Sequence, residues 1–137
     1  MAVTSGVVLA LTRRDTWTAK VNDGATRGGL SVSIQGDGGF LYTSQELNTA
    51  VRHGIPLVAL VLNNSCHGAE KAQQKRNYQE RYVGVDLVNP RFDKLAEVYG
   101  ARGFYVTKPS EIGDAVTEAL KLNGPSVIEI PVAEYFP

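Results

Sequence analysis

The sequence predicts an α/β fold, a three-layer sandwich with a mostly parallel central sheet. Three observations carry that expectation. From residue 30 onward, apolar and amphipathic runs follow the order strand, helix, strand, helix, strand, helix, strand. The run Leu57-Val58-Ala59-Leu60-Val61-Leu62 is apolar on both faces, as a strand covered on both sides requires. Glycine, proline and asparagine stand between the runs, as at Gly54, Pro56, Gly100 and Asn123-Gly124.

Leu30 to Ile34 forms the first strand of this series and runs into the glycine turn Gly36-Asp37-Gly38-Gly39. Thr43 has the position of a helix N-cap, with Glu46 three residues on to complete a capping box. Leu47, Ala50 and Val51 follow at helical spacing until Gly54 and Pro56. Leu57 to Leu62 is then the buried central strand. Ser65 to Val88 is polar and irregular, with a helix expected around Glu70 to Glu80.

Asn89-Pro90 reads as a helix start, Asn as cap and Pro in the first turn. Phe92, Leu95, Ala96 and Tyr99 make the apolar stripe, and Gly100 ends it. Phe104 to Val106 is a strand, and a helix from near Pro109 carries Ile112, Ala115, Val116, Ala119 and Leu120. Ser126 to Val132 is the last strand, with Pro131 placing it near an edge or at a strand end. Residues 1–29 form an atypical lead-in, since Thr12 to Gly29 is polar and lacks helical periodicity. Within that lead-in Val7 to Leu11 would add a strand. Residues 30–137 form the domain proper.

At 137 residues, 43% hydrophobic and 20% charged, the chain has the composition of one globular domain. Fourteen basic residues balance fourteen acidic ones without a basic stripe, which argues against nucleic acid or a membrane surface as partner. A single cysteine excludes an internal disulfide and offers too few thiols for a zinc site. Val7 to Leu11 is too short to span a bilayer, and no positive segment precedes it as in a signal peptide, so the expected location is cytoplasmic.

The chemistry concentrates at two places. Gly36-Asp37-Gly38 and Asn63-Asn64, separated by twenty-four residues, each follow an apolar strand. In open α/β sheets ligands bind beyond the carboxyl ends of the strands, so Asp37 and Asn64 share a crevice if their strands are neighbours. A carboxylate and an amide carbonyl are hard oxygen donors suited to Mg²⁺, which often shares its shell with phosphates. Glycines at 36, 38 and 39 let the backbone approach a bulky anion.

This pattern resembles the cofactor signature of thiamine-diphosphate-dependent enzymes, which opens with Gly-Asp-Gly and closes with Asn-Asn. The resemblance covers roughly residues 30 to 137 and implies the Rossmann-like domain that binds the cofactor's diphosphate. It implies thiamine diphosphate and Mg²⁺ as cofactors, with the metal held by Asp37, Asn64 and the backbone carbonyl of Cys66. Gly36, Gly38 and Gly39, with the loop through His67 to Gly68, would lie against the diphosphate.

Gly68-Ala69-Glu70-Lys71, Arg81-Tyr82-Val83-Gly84 and Asn89-Pro90 look most like the acetolactate synthase branch, and within it resemble sulfoacetaldehyde acetyltransferases. The implied chemistry is carbon–carbon bond cleavage and formation on 2-oxo acids. Position 39 is Gly where many relatives have Ser, and His67 stands where relatives often have an aromatic residue. Full-length relatives also carry an upstream glycine-rich segment and a pyrimidine-binding domain whose glutamate activates the cofactor. Neither is expected within residues 1–29, so no catalytic residue is assigned and the isolated chain is expected to be inactive. The implied partner is a second copy in a dimer or a companion pyrimidine-domain chain.

The competing expectation is a free-standing α/β module that binds or self-associates and has lost cofactor use. Single residues have plainer readings too. Cys66 is a small loop filler, His53 faces the last carbonyls of its helix, and His67 is an exposed loop histidine. Glu70 to Arg81 is a solvated helix face, and Tyr78, Tyr82, Phe92 and Tyr99 are core or interface aromatics.

Overall fold

The computed structural model describes Thr18–Ala19 and residues 30–133. The expected strand at Val7 to Leu11 and most of the lead-in lie outside these residues. Five strands form one sheet: β1 (Thr18–Ala19), β2 (Leu30–Gly36), β3 (Leu57–Asn63), β4 (Arg102–Tyr105) and β5 (Pro125–Pro131), in the spatial order β1-β2-β3-β5-β4. β1 pairs antiparallel with β2, and the other four are parallel.

Among the described residues five helices accompany them: α1 (Asp37–Leu41), α2 (Glu46–His53), α3 (Gly68–Asn77), α4 (Phe92–Val98) and α5 (Ile112–Lys121), the last preceded by a 3₁₀ turn at Pro109–Glu111. The chain crosses the sheet in one direction from β2 through β3 to β4, then steps back to β5. With right-handed crossovers, a reversal of direction moves the connecting helix to the opposite face. The two apolar clusters follow that rule.

On one face, Phe40, Leu47, Ala50, Phe92 and Ala96 from α1, α2 and α4 pack on Leu57, Ala59 and Val61 of β3 and Val127 of β5. On the other face, Val58, Leu60, Ile128 and Ile130 meet Ala119, Ile112, Ala115 and Val116 of α5. β3 thus buries alternate residues on both sides, as its unbroken apolar run requires. Phe92 is wholly buried, with its ring edge-on to Phe40 at 5.3 Å between centroids.

Two local expectations are corrected. The Thr43–Glu46 capping box does not form: the chain enters the short helix α1 straight after Gly36, turns through 42–45, and starts α2 at Glu46 without a side-chain cap. Asn89 does not cap α4, whose N-cap is Arg91; its amide is used elsewhere, as described below. Of the two places expected for Pro131, an edge or a strand end, the structure shows the second: it ends β5, which lies between β3 and β4. Of the expected core or interface aromatics, Phe92 is core, Tyr99 packs against that core, and Tyr78 and Tyr82 are exposed.

Two glycines have geometric reasons. Gly100 ends α4 with φ +86°, a left-handed conformation that side chains resist. Gly103 of β4 passes beneath α4, where a Cβ would collide with the backbone carbonyl of Asp93.

Candidate functional site

β2 and β3 are neighbours and parallel, with Gly36 level with Leu62. Asp37 therefore emerges beside Asn63, with Asn64 one residue further, and the two sequence-predicted positions stand at adjacent strand ends. Asp37 is 2% exposed, and among the described residues it has no ion pair. Burying a carboxylate costs much free energy unless a cation or several donors compensate.

The protein donor on Asp37 is one that the sequence reading assigned otherwise. Asn89 Nδ2 donates to Asp37 Oδ2 at 2.7 Å and to Asn63 Oδ1 at 2.9 Å. Asn63 Nδ2 in turn donates to Glu129 Oε1 at 2.8 Å. Glu129, 2% exposed on β5, also accepts from the backbone N–H groups of Phe92 at 2.8 Å and Asp93 at 3.4 Å. A carboxylate offers only acceptors, so the two ends of this chain dictate how both amides face. Asn63 must turn its NH₂ to Glu129 and its oxygen to Asn89, and Asn89 must turn its NH₂ to Asp37. Asn89 Oδ1 is left buried with no partner among the described residues.

The second half of the predicted site is a tight loop. Asn63 Oδ1 accepts from Ser65 N at 3.1 Å and Asn64 Oδ1 from Cys66 N at 3.3 Å, so both side chains curl the backbone after β3. Cys66 is buried and bridges to Asp86, flanked by His67 N to Val85 O and Leu87 N to Ser65 O, both 2.8 Å. Lys71 and Asp86 join at 2.7 Å across the same return. Gly68 begins α3.

His67 is not an exposed loop side chain: its ring is partly buried, stacks on Tyr42 with centroids 5.8 Å apart, and covers Gly38. Gly36 and Gly39 stay open, with no atom within 4 Å of where a Cβ would stand. His53 sits in the last turn of α2, away from this loop in the sequence.

Beside the loop, a cavity of about 380 Å³ is lined by Asn64, Asn89, Arg91, Tyr105, Glu129 and Val132 among others. Arg91 spans its rim: it makes a two-pronged contact with Asp93 at 2.9 and 3.0 Å and lies 3.6 Å from the centre of the Tyr105 ring. The hydrogen bond to Asp93 is the main influence raising the guanidinium above its usual value, with Glu129 adding to it.

These residues fit a hard cation carrying a diphosphate. Among them no three His, Cys, Asp or Glu side chains cluster, so a metal here would take oxygen from the Asp37 carboxylate, asparagine amides and backbone carbonyls. A buried carboxylate without an ion pair among the described residues and open backbone at Gly36 and Gly39 are what such a group would complete. Sequence reasoning missed Asn89, Asn63 and Glu129 as site residues. Asn89 was hidden by its likeness to a helix cap, whereas Glu129 was visible as the one charge inside the apolar run Val127 to Ile130.

Comparison with known proteins accords with this geometry. Residues 16–130 match the family described as thiamine pyrophosphate enzyme, C-terminal TPP-binding domain. The chain belongs to that family. It is 40% identical over 101 residues to an acetolactate synthase of Bacillus subtilis, covering 74% of this chain and 18% of that protein. It is 35% identical over 92 residues to a sulfoacetaldehyde acetyltransferase of Alcaligenes xylosoxydans, covering 67% and 15%.

Among solved structures, benzoylformate decarboxylase from Polynucleobacter necessarius superposes with a TM-score of 0.75 at 28% identity, over 80% of this chain and 20% of that one. The TPP-binding domain thus spans under a fifth of these curated relatives. No helix among the described residues is long and apolar enough to cross a membrane.

Proposed function

We propose that this TPP-binding domain anchors thiamine diphosphate through Mg²⁺, as the cofactor-holding part of an acetolactate-synthase-like enzyme acting on 2-oxo acids. The observation that carries the reading is Asp37, buried at a strand end beside Asn63-Asn64 with no ion pair among the described residues. Asp37, the Asn64 amide oxygen and the Cys66 carbonyl would hold the metal, while Gly36, Gly38, Gly39, His67 and Gly68 would face the diphosphate. The bound cofactor supplies the electron sink for the 2-oxo acid, and the domain supplies its position.

A pyrimidine-binding domain, in the same polypeptide or a companion chain, completes the active site. Turnover of pyruvate by these 137 residues alone is not expected. Ile34, 70% exposed, and Leu62, 38% exposed, share one sheet face, which favours association with a second copy or such a companion.

Titration calorimetry with thiamine diphosphate, with and without Mg²⁺, tests the reading. Binding heat that requires the metal is the expected result, and its absence with both present would refute cofactor anchoring. Light scattering across concentration checks association.

A further inference from the structure

A hydrogen-bonded series leads from β5 to the end of β2, and of its members only Asp37 belongs to the proposed ligand set. It runs Glu129, Asn63, Asn89, Asp37, with successive contacts of 2.8, 2.9 and 2.7 Å. Its first member is locked by the backbone of α4 and its last is the buried carboxylate.

We propose that Asn89 is a positioning residue that holds the Asp37 carboxylate in register for the metal, and that Glu129 aligns Asn89 through Asn63. The proposal rests on the cofactor reading above and deepens it.

The physical case begins with donor capacity. An asparagine amide has two N–H donors, and Asn89 directs both to the series, one to Asp37 and one to Asn63. With Asp37 Oδ2 tied in this way, the carboxylate cannot swing freely about its χ angles, and its second oxygen is held in a fixed direction. Asn89 cannot reverse its amide without setting a carbonyl oxygen against the carboxylate. That constraint keeps Asn89 Oδ1 without a partner among the described residues although it is buried, an arrangement that costs stability. A side chain serving only as a loop tie would satisfy that oxygen by turning; this one is held by its neighbours. Partners that orient a metal ligand typically change affinity by roughly 10–100-fold when removed.

The test uses the 137-residue chain as wild type, Asn89→Leu and Asn89→Asp. Calorimetry measures thiamine diphosphate binding with saturating Mg²⁺ and, separately, Ca²⁺, beside thermal unfolding without ligand. Mg²⁺ demands near-ideal octahedral geometry and Ca²⁺ tolerates irregular shells, so a misaligned carboxylate penalises Mg²⁺ more. Both variants should lose roughly 10–100-fold with Mg²⁺ and clearly less with Ca²⁺. Equal losses with the two metals, or none, would overturn the positioning role.

If the wild-type chain binds no cofactor, the anchoring reading fails. The alignment is then judged in the ligand-free wild type from the Asn89 side-chain amide resonances, and the same measurement decides if the Asn89 variants do not fold. Asp37→Asn and Glu129→Gln should each shift both amide protons. Resonances unmoved by Glu129→Gln would defeat the relay.

Discussion

The imidazole of His67 covers Gly38 so closely that a Cβ there would stand 2.5 Å from its Cε1 and Nδ1 atoms. The ring is braced from outside by Tyr42, 17° from parallel. The glycine turn and the loop after β3 are therefore already in contact, and Gly38 is a glycine because another side chain occupies its flank. Gly38→Ala should displace the ring and destabilise the fold by about 1–3 kcal/mol. Adding His67→Ala should cost less than the sum of the single changes, since the clash is then gone. Urea unfolding of the four chains measures the coupling, and strict additivity would contradict this packing.

Asp37→Asn separates ligand binding from folding. The carboxylate is buried and breaks no ion pair among the described residues when neutralised. The ligand-free stability should change by no more than about 1 kcal/mol in either direction. Metal-dependent thiamine diphosphate binding should fall by more than the roughly 10–100-fold expected of an indirect partner. Thermal unfolding and calorimetry on one preparation check both halves.

Glu129→Ala should be among the costliest single changes. It strips acceptors from Asn63 Nδ2 and the Phe92 N–H in a site 2% exposed. Buried donors left unsatisfied cost about 1–3 kcal/mol each, so a loss on the order of 3 kcal/mol is expected. The shift of the guanidinium midpoint at constant slope reads it.

Glu111 gives the fold a pH dependence at the start of α5. Its carboxylate accepts from Thr107 N at 2.8 Å, Thr107 Oγ1 at 2.9 Å and Lys108 N at 3.1 Å. The backbone hydrogen bond from Thr107 leads in lowering its pKa below the ordinary 4.5. A depressed native value means the stabilisation is fully present above 4.5 and fades as pH falls through the lower native value. An NMR titration of the Glu111 carboxyl should show a midpoint under 4.5; one above it would refute the arrangement.

Gly103→Ala and Gly39→Ala should differ in sign. At Gly103 the added carbon meets the Asp93 backbone, which cannot yield without moving α4, so a loss of about 3 kcal/mol or more is expected. At Gly39, inside α1, nothing lies within 4 Å, and alanine should raise stability by about 0.5–1 kcal/mol. Chemical denaturation compares the two.

Much of this domain was readable before any coordinates. The all-apolar run Leu57 to Leu62 could be satisfied only by a strand buried on both faces, and the stripes of α4 and α5 had to pack on such a sheet. Gly-Asp-Gly and Asn-Asn behind two apolar strands placed the candidate ligands at strand ends, and the pairing of β2 with β3 makes those ends adjacent. The strands and helices rest on periodicity, which belongs to the chain's own order, and the ligand positions on donor chemistry and the resemblance to a family's motif.

What periodicity could not reveal was partner choice among polar groups distant in sequence. Asn89 has the local form of a helix cap, yet in space a carboxylate 52 residues away claims both of its donors jointly with Asn63. Glu129 serves the N-terminal N–H groups of α4 from 37 residues away. Thr43 lost its capping role because the chain turned into α1 sooner, burying Phe40 against Phe92. A short polar side chain bonds whichever acceptor the packed fold brings within 3 Å, and only the assembled sheet decides which one that is.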